Sequence, residues 1–133
     1  MISQHLSIHT TGSSEFVNIT ASLQDFLQKN NPADGMCLVF VPHTTCGITI
    51  NENADPDVQR DILMELGKIV PLRDGYRHSE GNSAAHIKAS AMGSSVTIPV
   101  VQGKLVLGIW QGVYLCEFDG PRTRKVHVSF ISG

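Results

Sequence analysis

From residue 95 to residue 131 the chain is a succession of short apolar runs with no room for a helix between them. Residues 95–100, 104–107, 113–118 and 124–131 read as strands, punctuated by Gly103, Gly108, Gly112 and Asp119-Gly120-Pro121. Strands joined by turns this tight pair as antiparallel hairpins. In the last run Val126, Val128 and Phe130 share one face, leaving Lys125, His127 and Ser129 on the other. In the run before it Glu117 shares a face with Val113 and Leu115 and points inward. A carboxylate on an apolar face needs a partner, either an arginine or a metal-bound water. Glu117 is therefore a candidate acid/base residue.

The earlier chain adds helices to this pattern. Residues 4–10 alternate, with Leu6 and Ile8 facing one way and His5, Ser7 and His9 the other, as in a half-buried strand. A turn at Gly12-Ser13-Ser14 leads to a short strand through Phe16, Val17 and Ile19. Thr20 then caps a helix to about Asn30, with Leu23, Phe26 and Leu27 inward. Residues 30–35 form a loop. Residues 36–41 are nearly all apolar, as in a strand buried on both faces, and Pro42 leaves His43-Thr44-Thr45 at the strand end. A strand over 46–51 follows. Asp55 and Pro56 supply the N-cap and first position of a helix whose stripe is Val58, Ile62, Leu63, Leu66 and Ile69, stopped by Pro71. The fold class is α+β: a mostly antiparallel, barrel-like or strongly curved sheet with two longer helices and one short helix outside.

With 133 residues the chain makes one domain, over 1–133, that needs no staples. A formal net charge of −2 leaves no footprint for nucleic acid, and no apolar run is long enough to span a membrane. Met1 to His5 has no signal-peptide character. Three widely spaced cysteines, Cys37, Cys46 and Cys116, fit a reduced, cytoplasmic protein.

The chemistry concentrates between Tyr76 and Ser90. Gly81 can turn where other residues cannot, and Ser83 can cap a short helix from about Ala84 to Met92. His86 and Ser90 then share a helix face, and His78 lies in the loop before it. Arg77 and Lys88 flank a helix N-terminus whose free amides suit a phosphate. His43, His78 and His86 all fall on loops or element ends. Three neutral imidazoles can hold a divalent ion, zinc above all, with a fourth position open. A general acid/base histidine and plain structural histidines are the alternatives. Asn51, Asn53 and Asp55 are helix-capping residues or a polar wall toward a ligand. Trp110-Gln111-Gly112 follows the 104–107 strand, with Trp110 a strand-end aromatic or a stacking platform.

Three stretches carry a resemblance. HTTCGITINENADPDVQRDIL (43–63), YRHSEGNSAAHIKASAMGSSVTIPV (76–100) and GKLVLGIWQGVYLCEFDGPRTRKV (103–126) resemble the YjbQ family, catalogued as secondary thiamine-phosphate synthases. The resemblance implies a compact barrel-like α+β fold assembled as a homotrimer, with sites at subunit boundaries. It also implies a transferase that joins a pyrimidine pyrophosphate to a thiazole phosphate and releases pyrophosphate. A metal-dependent hydrolase or a binding protein for a small phosphorylated metabolite is the alternative. Carried over by motif, His43, His78 and His86 become the metal or catalytic cluster. Asn51, Asn53, Asp55, Gln111 and Glu117 become second-rank or substrate-contacting residues, with Arg77, Lys88 and Ser90 beside them. One departure is Ser83-Ala84-Ala85, where family members often carry an acidic residue whose role here is either missing or filled by Glu80.

Overall fold

The computed structural model describes residues 1–30 and 33–133. In chain order the elements are β1 (Ile2–His9), β2 (Glu15–Asn18), α1 (Thr20–Lys29), β3 (Gly35–Phe40), β4 (Cys46–Glu52), α2 (Pro56–Ile69), α3 (Ser83–Met92), β5 (Ser95–Val101), β6 (Lys104–Leu105), β7 (Gln111–Glu117) and β8 (Thr123–Ser132). Part of the loop expected over 30–35 lies outside the described residues.

All strand pairs are antiparallel, in two sheets. One is strongly curved and has the order β1-β8-β3-β5-β6; the other has the order β2-β7-β4. The expected α+β class with a curved antiparallel sheet is what the chain adopts. Only β5–β6 pairs as a sequential hairpin of the closing region, however. β7 pairs with β2 and β4, and β8 with β1 and β3. A tight turn licenses a hairpin but does not compel one, and here the chain crosses from one sheet to the other at Asp119–Pro121.

The core lies between the sheets. Val113, Leu115 and Ile48 from the small sheet meet Cys37, Val39, Ile98, Val126, Val128 and Phe130 from the large one. α1 closes one side with Leu23, Phe26 and Leu27, each contributing roughly 1.5–3 kcal/mol by leaving water. Thr20 does not cap that helix, whose N-cap residue is Ile19 without a side-chain bond. Its hydroxyl donates to Asn18 Oδ1 at 2.7 Å and accepts from the Val113 amide at 2.8 Å, tying the helix to the small sheet.

A second, smaller core covers the outer face of the small sheet. Ala85 and Ala89 of α3 pack on Tyr114, Cys116 and Phe118, with Leu63 and Leu66 of α2 alongside. α3 can approach β4 closely because of Gly47. A Cβ there would stand 2.9 Å from both the Gly93 carbonyl oxygen and Met92 Cβ.

Among the described residues the outer face of the large sheet has no such cover. Met36 and Phe40 are 46% and 42% exposed while their neighbours Cys37 and Val39 are fully buried. The expectation that this strand is buried on both faces is corrected: the apolar run is real, but Met36 and Phe40 on its outer face stay open among the described residues.

Candidate functional site

Histidine 43 follows the exit of β3. That strand faces β8 as far as Phe40 opposite His127, and Val41 then bonds Ser94 instead. The Lys125 amide, past the end of the pairing, donates to His43 Nε2 at 2.9 Å. Burial first, and then the Arg124 charge, hold this imidazole below its ordinary 6.5.

His78 and His86 come from the loop and the third helix. Tyr76 anchors the loop by donating its hydroxyl to the Pro71 carbonyl at 2.6 Å, and Gly81 turns it at a φ of 78°. The His78 and His86 rings meet edge to face with centroids 5.5 Å apart. Glu80 has its carboxylate 3.8 Å from His78 Nε2. The expected Ser83 cap is corrected: Ser83 is already helical, and the N-cap residue is Asn82, which makes no side-chain cap bond. Asn82 instead donates to Asp119 Oδ2 at 2.9 Å, leaving its own Oδ1 buried without a partner.

His86 is the wall between two cavities. One, of about 480 Å³, is lined by His43, Thr44, Cys46, His86, Ser90 and Ser94. The other, of about 380 Å³, is lined by Tyr76, Arg77, His78, Ser83, His86 and Ile87. Ser90 donates its hydroxyl to the His86 carbonyl at 2.9 Å. Cys46 supplies no thiolate, because burial pushes its thiol up to about 11.

Not every residue singled out in the sequence is found there. Lys88 places its Nζ 5.9 Å from the Phe118 ring centroid and lines neither cavity. Asn51, Asn53, Asp55 and Gln111 also line neither, and they build local structure. Asn53 Nδ2 donates to the Ile109 and Gln111 carbonyls at 3.1 and 3.0 Å, and Asp55 accepts the Asp57 amide at 2.9 Å as the N-cap of α2. Gln111 Oε1 accepts from Gly108 at 2.8 Å, and Asn51 Oδ1 from the next amide.

Glu117 points inward as its strand face requires, and the partner is an arginine. Arg124 lies on the same face of β8 as Val126, Val128 and Phe130, so the two side chains meet across the end of the core. Arg124 Nε donates to Oε1 at 2.9 Å and Nη2 to Oε2, while Thr10 donates to Oε1 at 2.8 Å. The amides of Phe118 and Asp119 add bonds of 3.1 Å each. Burial alone would raise this carboxyl, but the Arg124, Thr10 and Asp119 bonds outweigh it and hold it below 4.5. With 0% exposure and both oxygens saturated, Glu117 cannot exchange protons with a ligand, and the acid/base assignment is corrected. Sequence reading missed Arg124 itself. Its place two residues before Val126 on the inward face was the available signal.

A shared divalent ion does not fit these residues within one chain. Among the described residues no three His, Cys, Asp or Glu side chains stand close enough to hold one. The Nε2 lone pair of His43 is also already committed to the Lys125 amide.

A two-sheet antiparallel α+β domain with a histidine-walled double cleft beside its third helix is thus the class of protein defined here. The chain belongs to the YjbQ family: the family model described as "UPF0047 protein YjbQ-like" matches residues 4–133. UPF0047 protein YugU of Bacillus subtilis is 48% identical over 127 residues, 95% of this chain and 96% of that one. UPF0047 protein MJ1081 of Methanocaldococcus jannaschii is 47% identical over 124 residues, 93% and 90% of the two chains. A solved structure from Clostridium acetobutylicum, described as an uncharacterized conserved protein of the family, superposes with a TM-score of 0.94 at 55% identity, covering 96% and 99%. The hypothetical protein APE1520 of Aeropyrum pernix reaches 0.95 at 30% identity over the whole of both chains.

These relatives correct the functional expectation. They are known only as UPF0047, uncharacterized or hypothetical proteins, so membership transfers no thiamine-phosphate synthase activity to this chain. Among the described residues no helix is long and apolar enough to cross a membrane.

Proposed function

We propose that the double cleft binds a small oxyanion-bearing ligand and moves a proton on it with the His78–His86 imidazoles. The observation that carries this reading is His86, which walls both cavities and stands 5.5 Å from His78. Arg77 lines the same cavity as that pair, and the first amides of α3 have no side-chain cap to compete with a ligand. Cation, amides and imidazoles together favour negative charge. Imidazole also suits proton transfer near neutral pH.

Calorimetric titration with inorganic phosphate and pyrophosphate tests this reading, with His86→Asn as the control. Saturable binding that His86→Asn weakens at least tenfold is expected. Binding of neither anion by the intact chain, or equal binding by the variant, would overturn it.

Self-association belongs to the same proposal. The uncovered face of the large sheet carries Met36, Phe40 and Val101 in the open, and a second and third copy of the chain would bury them as a homotrimer. Light scattering should give three chains per particle, and Phe40→Glu should reduce it to one. A wild-type monomer at micromolar concentration would remove the assembly from the reading.

A further inference from the structure

The loop between β3 and β4 is held at two points by consecutive residues of β8. Lys125 donates its backbone N–H to His43 Nε2 at 2.9 Å. Arg124 donates from Nη2 to the Thr45 hydroxyl at 2.9 Å, and the Thr45 carbonyl accepts the Phe118 amide at 3.2 Å. The guanidinium has little freedom to move, since its other bonds run to Glu117, which Thr10 and two amides hold in turn. A ring nitrogen that accepts an N–H needs its lone pair, so the proton of neutral His43 sits on Nδ1. Rotating the ring by half a turn would put a carbon opposite the Lys125 amide and lose the bond.

We infer that Arg124 and Thr45 are positioning residues that lock His43 as an Nδ1–H donor at the wall of the larger cavity. That cavity therefore takes a ligand with an acceptor oxygen, such as a carboxylate, carbonyl or phosphoryl oxygen, opposite His43. The ligand half of this inference rests on the binding reading above; the lock is a property of the free chain. Burial and the Arg124 charge hold this ring below its ordinary 6.5, which at neutral pH leaves Nε2 the lone pair that the Lys125 bond uses. Thr44, Ser90 and Ser94 line the same cavity with hydroxyls that can turn to either role.

Long-range proton–nitrogen correlation spectra of the full chain read the tautomer directly. At neutral pH the wild type should show one neutral form of His43, protonated on Nδ1. Thr45→Val keeps the shape and loses the hydroxyl, and it should give a mixture of tautomers that Thr45→Ser returns to one. A wild-type proton on Nε2 would overturn the lock without any variant. A Thr45→Val spectrum identical to wild type would remove Arg124 and Thr45 from it. Inorganic phosphate is the ligand probe, with binding about tenfold weaker in Thr45→Val and restored in Thr45→Ser, as loss of one charged hydrogen bond implies. Unchanged phosphate affinity alongside a mixed tautomer would overturn the acceptor-oxygen half. Failure of the wild type to bind phosphate, with the tautomer fixed, would overturn the anion site and leave the lock standing.

Discussion

The Glu117–Arg124 pair and the His78–His86 pair are both clusters of ionisable side chains, and residue type alone does not separate them. Their surroundings do. Glu117 is fully buried, and its two oxygens receive five hydrogen bonds. His78 is exposed and His86 half-exposed, and their rings meet edge to face. A carboxylate with no vacancy left is part of the frame. Imidazoles facing a cavity with unspent nitrogens are free to meet a ligand. Saturation, rather than charge or perturbed acidity, tells the two apart here.

If that contrast is right, the largest effects belong to the closed pair. Arg124→Met should cost about 3–5 kcal/mol in urea unfolding, because it strands a buried carboxylate. The double variant Glu117→Leu with Arg124→Met should recover most of that loss. A single variant within 1 kcal/mol of wild type, on the order of a surface change, would break the comparison.

Gly47→Ala comes next, at about 1–3 kcal/mol, since the added carbon meets the Gly93 backbone and Met92 at 2.9 Å. The shift of α3 should also disturb the His86 resonance, linking frame to cleft. An unmoved resonance would separate them.

Acid sharpens the comparison further. Glu117 has a folded acidity below its ordinary 4.5, so the unfolded chain binds the proton more readily. Its stabilisation is therefore complete above about pH 4.5 and is lost as pH falls through the folded value. His43, lowered from 6.5, acts with the same sign: its contribution is full above 6.5 and fades below it. Urea midpoints measured from pH 7 to 3 should fall in the wild type and fall less in the Glu117→Leu, Arg124→Met double variant. Parallel curves for the two proteins would remove Glu117 as the source.

The open pair should behave in the opposite manner. His86→Asn should leave the unfolding free energy within about 0.5 kcal/mol, as changes outside the packed core do, while phosphate affinity falls at least tenfold. A stability loss as large as that of Arg124→Met would make His86 a frame residue too. Lys88→Ala should cost about 0.5–1 kcal/mol from its contact with Phe118 and leave phosphate affinity unchanged.

Much of this was legible in the residues. Period-two alternation placed Glu117, Val126 and Val128 inward, and Asp55-Pro56 opened α2 where capping chemistry says it should. The polar residues from Asn51 to Asp55 looked like either caps or a ligand wall. They turned out to serve the turn at 109–111 and the start of α2. Nothing in their identity decides that, because an Asn amide binds a carbonyl of its own chain as well as one of a ligand.

By itself, then, the sequence determined the inward faces of the closing strands, the start of α2 at Asp55-Pro56, and that Glu117 must have a buried partner. Those follow from local geometry, with two residues per strand period and an Asp cap before Pro at the start of α2. Tertiary structure alone decided that the strands divide into two sheets, that Arg124 is the partner and that Lys125 occupies the lone pair of His43. His43 and Lys125 stand 82 positions apart, and Thr45 and Arg124 79. Groups that distant meet only where β3 leaves β8, and the pairing of whole strands, not any spacing in the chain, sets that point.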